Sequence, residues 1–385
     1  MKIIYKLALM VAVVFGLMAI GVGVSLADCP DGEYHCPTTG DIIKYGQCYK
    51  FPLSCNRCNK NDDAQKCSQR ERTGWMSDAR LQSRTLSDMT LPAAHDAAMG
   101  IANHCTDYAF DDITRTQTRS MLEMLNSGIR YFDIRPTISK DGVMRIGHVA
   151  WIGYDVDIVV KKFTARNEGC YGYNLDAVMN DINKFRNNYP SELIILELSH
   201  FQNFKNHDIK NSHFDESDFN NLKGIISDGI GKHLVKGERE LINITIKELA
   251  NSGVLILMDG GPATPIEGFH SIGSLNHSGK YKNTNKLATM LKDQLSRLEN
   301  KKDGYFHKTF WTLTLQESDI KSCMMSHFGV PLTNCKGILS YASEANSNLH
   351  VLLDAIKRTG KRPNIIFTDN SDYRLTDIAI EANHQ

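Results

Sequence analysis

The sequence predicts an α/β fold with a mainly parallel sheet, closed as a barrel rather than spread as a doubly wound sheet. Three observations carry that expectation. Apolar, strand-like runs alternate with helix-spaced amphipathic stretches from about residue 86 to the C-terminus. Glycine-rich fingerprints of the dinucleotide or P-loop type are absent, and "DGIGKH" (228–233) lacks their spacing. Polar residues gather at the C-terminal ends of the strand-like runs, where such folds build their sites.

The N-terminus reads as an export signal, residues 1–27. Lys2 and Lys6 precede an uncharged run from Leu7, and Ser25-Leu26-Ala27 offers a small-x-small cleavage site. Leu7 to Ala27 is also long enough to anchor the chain if left uncleaved. Either way the remainder is expected to be secreted or extracytoplasmic. All ten cysteines follow residue 27, so disulfides are the expectation in that oxidising setting. Six of them (29, 36, 48, 55, 58, 67) crowd into a turn-rich module, residues 28–85. Cys55-Asn-Arg-Cys58 invites a zinc reading, but export disfavours free thiolates and no second well-spaced ligand pair stands out. Connectivity inside the cluster stays open. Cys323 and Cys335 enclose a short loop, which leaves Cys105 with Cys170 as the remaining simple pairing.

Within residues 86–385 the strand-like segments are 129–138, 193–201, 254–260, 309–315 and 364–370. Leu175, Val178, Met179, Ile182 and Phe185 fall at helical spacing, with Pro190 just beyond; 285–299 and 346–358 behave alike. The chain of 385 residues carries no net charge, which disfavours nucleic acid as partner and leaves small molecules, proteins and membrane surfaces.

His95-Asp96, Asp133, Arg135, His200, Asp259 and Asp369 all sit at or near expected strand ends. Asp133 and Arg135, two apart on one strand, leave the same face, and such a pair is costly inside a barrel unless it pairs or meets a ligand. Asp141-Gly142 reads as a two-residue hairpin turn. That register sets Lys140 opposite Val143 and, counting back, Arg135 opposite His148. A fixed cation and a titratable imidazole would then reach one anion.

"LPAAHDAAM" (91–99) followed by "GIRYFDIRPTISKDGVMRIGHVAW" (128–151) resembles the X-type catalytic domain of the phosphatidylinositol-specific phospholipase C family. The likeness extends over roughly 86 to 370, with "YPSELIILELSHF" similar to the next strand and "RPNIIFTDN" to the last. It implies a distorted TIM-like (β/α) barrel, and the cysteine-rich module in front of that barrel has no counterpart in the resemblance. The implied activity is cleavage of the glycerol-side phosphodiester of inositol phospholipids at a membrane surface. An inositol hydroxyl attacks phosphorus, diacylglycerol leaves, and a cyclic inositol phosphate forms. His95 matches the general base, His148 the general acid, and Arg135 the cation on the non-bridging oxygens. Asp96 and Asp369 match the carboxylates that orient the histidines, and Asp133 holds Arg135 or contributes to the same network. An arginine at this place implies no cofactor and no calcium, since a guanidinium does the metal's work and repels one.

The chain departs from the pattern at Ala93-Ala94, which are spacers. It also lacks the lysine and glutamate that well-known bacterial members use to grip inositol. Glu197, Ser199 and His200 are candidates for that place, and Asp259 stands where those members carry an arginine region, so the preferred headgroup stays open. Two other readings remain: a metal-dependent glycerophosphodiester hydrolase, for which no Glu-x-Asp ligand pair is found, and an inactive lipid-binding barrel, which would predict a lost catalytic residue.

Overall fold

Runs such as Ile194–Leu198 (IILEL) and Val254–Met258 (VLILM) are apolar on both sides, so they need cover on both faces of a sheet. The computed structural model describes residues 72–152, 157–158, 161–162, 166–205, 213–237, 240–262, 266–330 and 334–385, inside one compact unit, Gln69–Gln385. The export segment and the six clustered cysteines lie outside the described residues. Among the described residues no helix is long and apolar enough to cross a membrane.

Eight strands form one parallel sheet. Along the chain they are β1 (Leu91–Ala94), β2 (Tyr131–Ile134), β3 (Ile194–Leu198), β4 (Val254–Met258), β5 (Phe269–Ser271), β6 (His277–Ser278), β7 (Phe306–Phe310) and β8 (Ile365–Thr368). Their spatial order is β5-β4-β3-β2-β1-β8-β7-β6. This is a TIM-like barrel left open at one seam, where β5 and β6 are joined by the short turn Ile272–Leu275 instead of pairing. Helices cover the outside. Leu175–Asn188 buries the five apolar positions expected of it, and Leu287–Glu299 and Leu349–Thr359 pack their apolar faces likewise. The last stops at Gly360, whose φ of 67° suits a residue without Cβ.

The barrel lumen is not filled by apolar layers alone. Lys308 of β7 reaches across to Glu197 of β3, with Nζ 2.7 Å from both carboxylate oxygens, and the Tyr131 hydroxyl donates to the same carboxylate at 2.5 Å. Phe367 stacks on Phe310 at 5.1 Å and meets Tyr131 edge-on at 5.5 Å. The ion pair braces strands on opposite walls of a sheet whose edges do not close.

Three expectations are adjusted. The apolar run 309–315 is strand only to Phe310: Trp311 and Leu313 are buried beyond the sheet, with Trp311 Nε1 donating to the Ala345 carbonyl at 2.9 Å. Apolar content there marks burial, not strand. Residues 72–85, assigned above to the cysteine-rich module, pack on the barrel unit: Trp75 is fully buried and donates to the Gly128 carbonyl at 2.9 Å, and Arg72 pairs with Asp377 at 2.6 Å.

The third concerns the hairpin after β2, where Pro136–Ile138 pairs antiparallel with Met144–Ile152 and that strand with Arg166–Asn174. The turn holds three residues, not two. Ser139 N–H donates to Val143, Gly142 N–H donates back to Ser139, and Gly142 takes φ 79°. Asp141 pairs with Arg145 at 2.6 Å and so pins the longer turn. Arg135 therefore faces Gly147, whose N–H it accepts at 2.9 Å, and not His148. Both disulfides left as simple pairings, Cys105–Cys170 and Cys323–Cys335, are formed.

Lys308→Met leaves Glu197 buried without a counter-charge. It is expected to destabilise the barrel by about 3–5 kcal/mol in urea unfolding, with Lys308→Met/Glu197→Leu recovering most of the loss.

Candidate active site

Strand register assembles the site. Ala94 lies beside Thr368 and Phe132, so His95 and Asp369 leave neighbouring strands at the same height, next to Asp133 on β2. His95 Nδ1–H donates to Asp369 Oδ1 at 2.8 Å. Arg135, two residues after Asp133 on the same face, donates through Nη2 to Asp133 Oδ2 at 3.1 Å and points to His95 Nε2 at 3.3 Å. Its Nε pairs with Asp96 Oδ1. Asp96 is fully buried, and its other oxygen lies 3.7 Å from His95 Nδ1 and 3.5 Å from His148 Nε2. His148 arrives from the antiparallel excursion, with Nδ1–H donated to the Thr114 carbonyl at 2.7 Å. The six expected site residues thus converge: in both histidines Nδ1 is anchored, while Nε2 of His95 faces the Arg135 guanidinium and Nε2 of His148 faces Asp96.

The chain around them is held in costly geometry. Asp96, Ala98, His200 and Asn370, none of them glycine, adopt left-handed backbone with φ between 43° and 64°. Such conformations cost about 1–3 kcal/mol each and persist only where neighbours over-determine them. The neighbours are visible. The Asp96 N–H donates to Asp133 Oδ2 at 3.2 Å, and its carbonyl accepts from Thr116 Oγ1 at 2.9 Å. Buried Gln117 donates Nε2–H to the carbonyls of His95 (2.7 Å) and Thr368 (3.3 Å) while its Oε1 accepts from Ser371 N–H at 2.9 Å. Asn346 Nδ2 holds the Asp369 carbonyl at 2.9 Å. Thr114, Thr116, Gln117 and Asn346 were not anticipated from the sequence, since single polar residues in loops carry no periodic or motif signal.

Charge sets the titration of the group. For His95, burial pulls the pKa down, but the Asp96 and Asp369 carboxylates outweigh it and raise the value to about 9. For Asp96, burial pushes up, while Arg135, His95 and His148 together hold it at about 2. Burial lowers Arg135, but Asp133 and Asp96 more than compensate, so it stays charged at any accessible pH. Ligand atoms of His95, Asp96 and Asp133 lie within 4.8 Å of one another, a spacing that could suit a metal ion. The Arg135 guanidinium contacts all three, and that donor set does not fit a divalent cation beside it.

The expected headgroup residues separate into different places. His200 is exposed at the mouth, with Nδ1 2.8 Å from Ser199 Oγ. Ser199 Oγ in turn donates to Asp133 Oδ1 at 3.3 Å. Asp259 is exposed just beyond β4. Glu197 is committed to Lys308 and Tyr131 below.

No protein-family model matches the chain. Among solved structures, phosphatidylinositol-specific phospholipase C from Listeria monocytogenes superposes with a TM-score of 0.55 at 18% identity, covering 81% of this chain and 98% of that one. A substituted form of the Staphylococcus aureus phosphatidylinositol-specific phospholipase C gives 0.54 at 15% identity over 81% and 98%. The chain has the fold of the phosphatidylinositol-specific phospholipases C. A curated relative, a PI-PLC X-box domain-containing protein of Dictyostelium discoideum, is 26% identical over 150 residues. That match takes in 35% of this chain, which spans only 18% of the relative's length.

In this phospholipase C-like barrel, a raised His95 pKa has a testable cause. Asp369→Asn is expected to lower the His95 midpoint by roughly one to two pH units in a histidine NMR titration, since one of two nearby carboxylates is gone. The same linkage makes the imidazolium's stabilising contribution complete below about pH 6.5 and lost as pH rises through about 9. Gln117→Leu leaves buried carbonyls unmatched and is expected to cost about 1–3 kcal/mol in unfolding.

Proposed function

We propose that this protein cleaves the glycerol-side phosphodiester of phosphatidylinositol-type lipids at a membrane surface, outside the cytosol. The observation that carries the reading is the convergence of His95, His148 and Arg135 on the single carboxylate of Asp96, at the C-terminal mouth of a parallel barrel. The fold it shares with proteins named phosphatidylinositol-specific phospholipase C supports the substrate class. Two disulfides and the charge-free N-terminal run support an oxidising compartment.

His95 Nε2 removes the proton of an inositol hydroxyl, with Asp369 holding Nδ1–H and stabilising the imidazolium that forms. The oxygen attacks phosphorus within the same molecule. Arg135, fixed by Asp133 and Asp96, takes the growing charge on the non-bridging oxygens through a planar fork. His148 gives its Nε2 proton to the glycerol oxygen, so that diacylglycerol leaves and a cyclic inositol phosphate remains. Asp96 links acid, base and cation without touching substrate. His200 and Asp259 are the exposed polar groups placed to meet the headgroup, while Glu197 supports the floor beneath it. No calcium is required, because the guanidinium already stands among the carboxylates.

A second reading, metal-dependent hydrolysis of glycerophosphodiesters, draws on the spacing of His95, Asp96 and Asp133. One assay separates the two. Release of diacylglycerol from phosphatidylinositol vesicles is expected to persist in chelator, with a cyclic phosphate visible by phosphorus NMR. Strict dependence on an added divalent ion, with free glycerophosphodiesters preferred, would favour the metal reading. His95→Ala and His148→Ala should each slow turnover roughly a hundred- to ten-thousand-fold. Because a base near pKa 9 acts through its neutral fraction, wild-type kcat/KM should climb with pH above 7, and in Asp369→Asn that rise should move to lower pH.

A further inference from the structure

At the end of the barrel opposite the mouth, a cavity of about 350 Å³ opens beneath the β6–β7 edge. That is large enough for a small anionic group with part of its carrier. Arg297, Asn300, Lys301, Lys302, Tyr305 and His307 are among the residues that line it, and no carboxylate does. Lys308 of β7 points into the lumen, so its neighbour His307 points outward, toward the helix Leu287–Glu299.

His307 is almost wholly buried at 3% exposure, with Nδ1 3.2 Å from Ser278 Oγ. Its Nε2 has no hydrogen-bond partner among the described residues. Burial, Lys301 and Arg297 hold its pKa down at about 4, so the ring is neutral at ordinary pH. If the Ser278 hydroxyl donates to Nδ1, Nε2 carries the ring hydrogen and is an unsatisfied buried donor.

The acids that act on these cations lie outside the cavity lining. Arg297 is paired with Asp293 at 2.7 Å, and Lys301 is tied at 3.0 Å to the Arg362 carbonyl and to Asn364 Oδ1. Asp88 and Asp303, the acids that act on Lys301, line a separate neighbouring cavity. Lys302 is exposed and engages no acid among the described residues. An unpartnered imidazole nitrogen, two ammonium groups, a guanidinium edge and a phenol therefore face one space, beside the Asn300 amide.

We propose that this cavity is a second, non-catalytic anion site, built for a phosphate group presented by a small molecule or a lipid head. A phosphate brings negative charge and several acceptor oxygens at tetrahedral angles, and so complements a pocket lined by three cationic side chains and no carboxylate. Nothing in the catalytic chemistry uses His307, and the site stands whether or not the proposed lipid cleavage is right.

The test uses the full chain with labelled histidine, the His307 resonance being assigned by its loss in His307→Gln. Inorganic phosphate at pH 7 is expected to shift that resonance saturably, where chloride at equal ionic strength does not. Lys302→Ala and Tyr305→Phe should each weaken the response roughly fivefold or more while leaving turnover unchanged. A parallel arm measures flotation with phosphatidylglycerol and phosphatidylcholine vesicles. Loss of phosphatidylglycerol binding in Lys302→Ala identifies a lipid head as the source, and unaltered flotation with an intact phosphate response identifies a soluble phosphate. A His307 resonance that ignores phosphate, or follows chloride equally, overturns the site.

Discussion

The contact between Asp96 and Arg135 is the constraint on which the rest of the site depends. Asp96 is buried and remains ionised, which a lone interior carboxylate would not do. Arg135 makes that charge tolerable, and Asp133 makes the arginine tolerable in turn. Each imidazole then finds a fixed negative oxygen beside it. Removing Asp96 or Arg135 leaves the other an uncompensated charge in a desolvated space, so the two are coupled.

A second ion pair has a structural role, deeper in the lumen. A parallel sheet of eight strands that is not sealed between its edges could flatten or splay. Lys308 and Glu197 join opposite walls through the lumen, and Tyr131 and Phe367 pack around them. The strut costs desolvation, as buried charges do, but it fixes the distance between β3 and β7 beneath the mouth. This is also why Glu197, which looks from the sequence like a free acid near the sugar, is engaged elsewhere.

How the loops hold His95 and Asp369 together was largely invisible in the sequence. His95 and Asp369 are far apart along the chain, and what sets their approach is side chains bonded to backbone. Gln117 clamps His95 to Thr368, Thr116 holds Asp96, and Asn346 holds Asp369. Such bonds need no particular spacing and leave no pattern to read. The hairpin shows a related limit. Asp141-Gly142 correctly announced a turn, but one extra residue changed the partner of Arg135 from His148 to Gly147. The histidine reached the cluster regardless, because Thr114 and Asp96 position it from other elements.

By itself the sequence determined the class of fold, the strand ends that carry polar residues, two disulfide pairings and the identity of the catalytic candidates. The fold class and the strand ends rest on local properties, apolar periodicity and turn residues, whereas the catalytic candidates rest on the resemblance of "LPAAHDAAM" and "RYFDIRP" to a known family. Tertiary structure alone decided which carboxylate sits between the histidines, which acid is spent on a brace, and where Trp311 leaves the sheet. These outcomes depend on strand order and on the height at which neighbouring strands end, and both arise from packing between segments far apart in the chain.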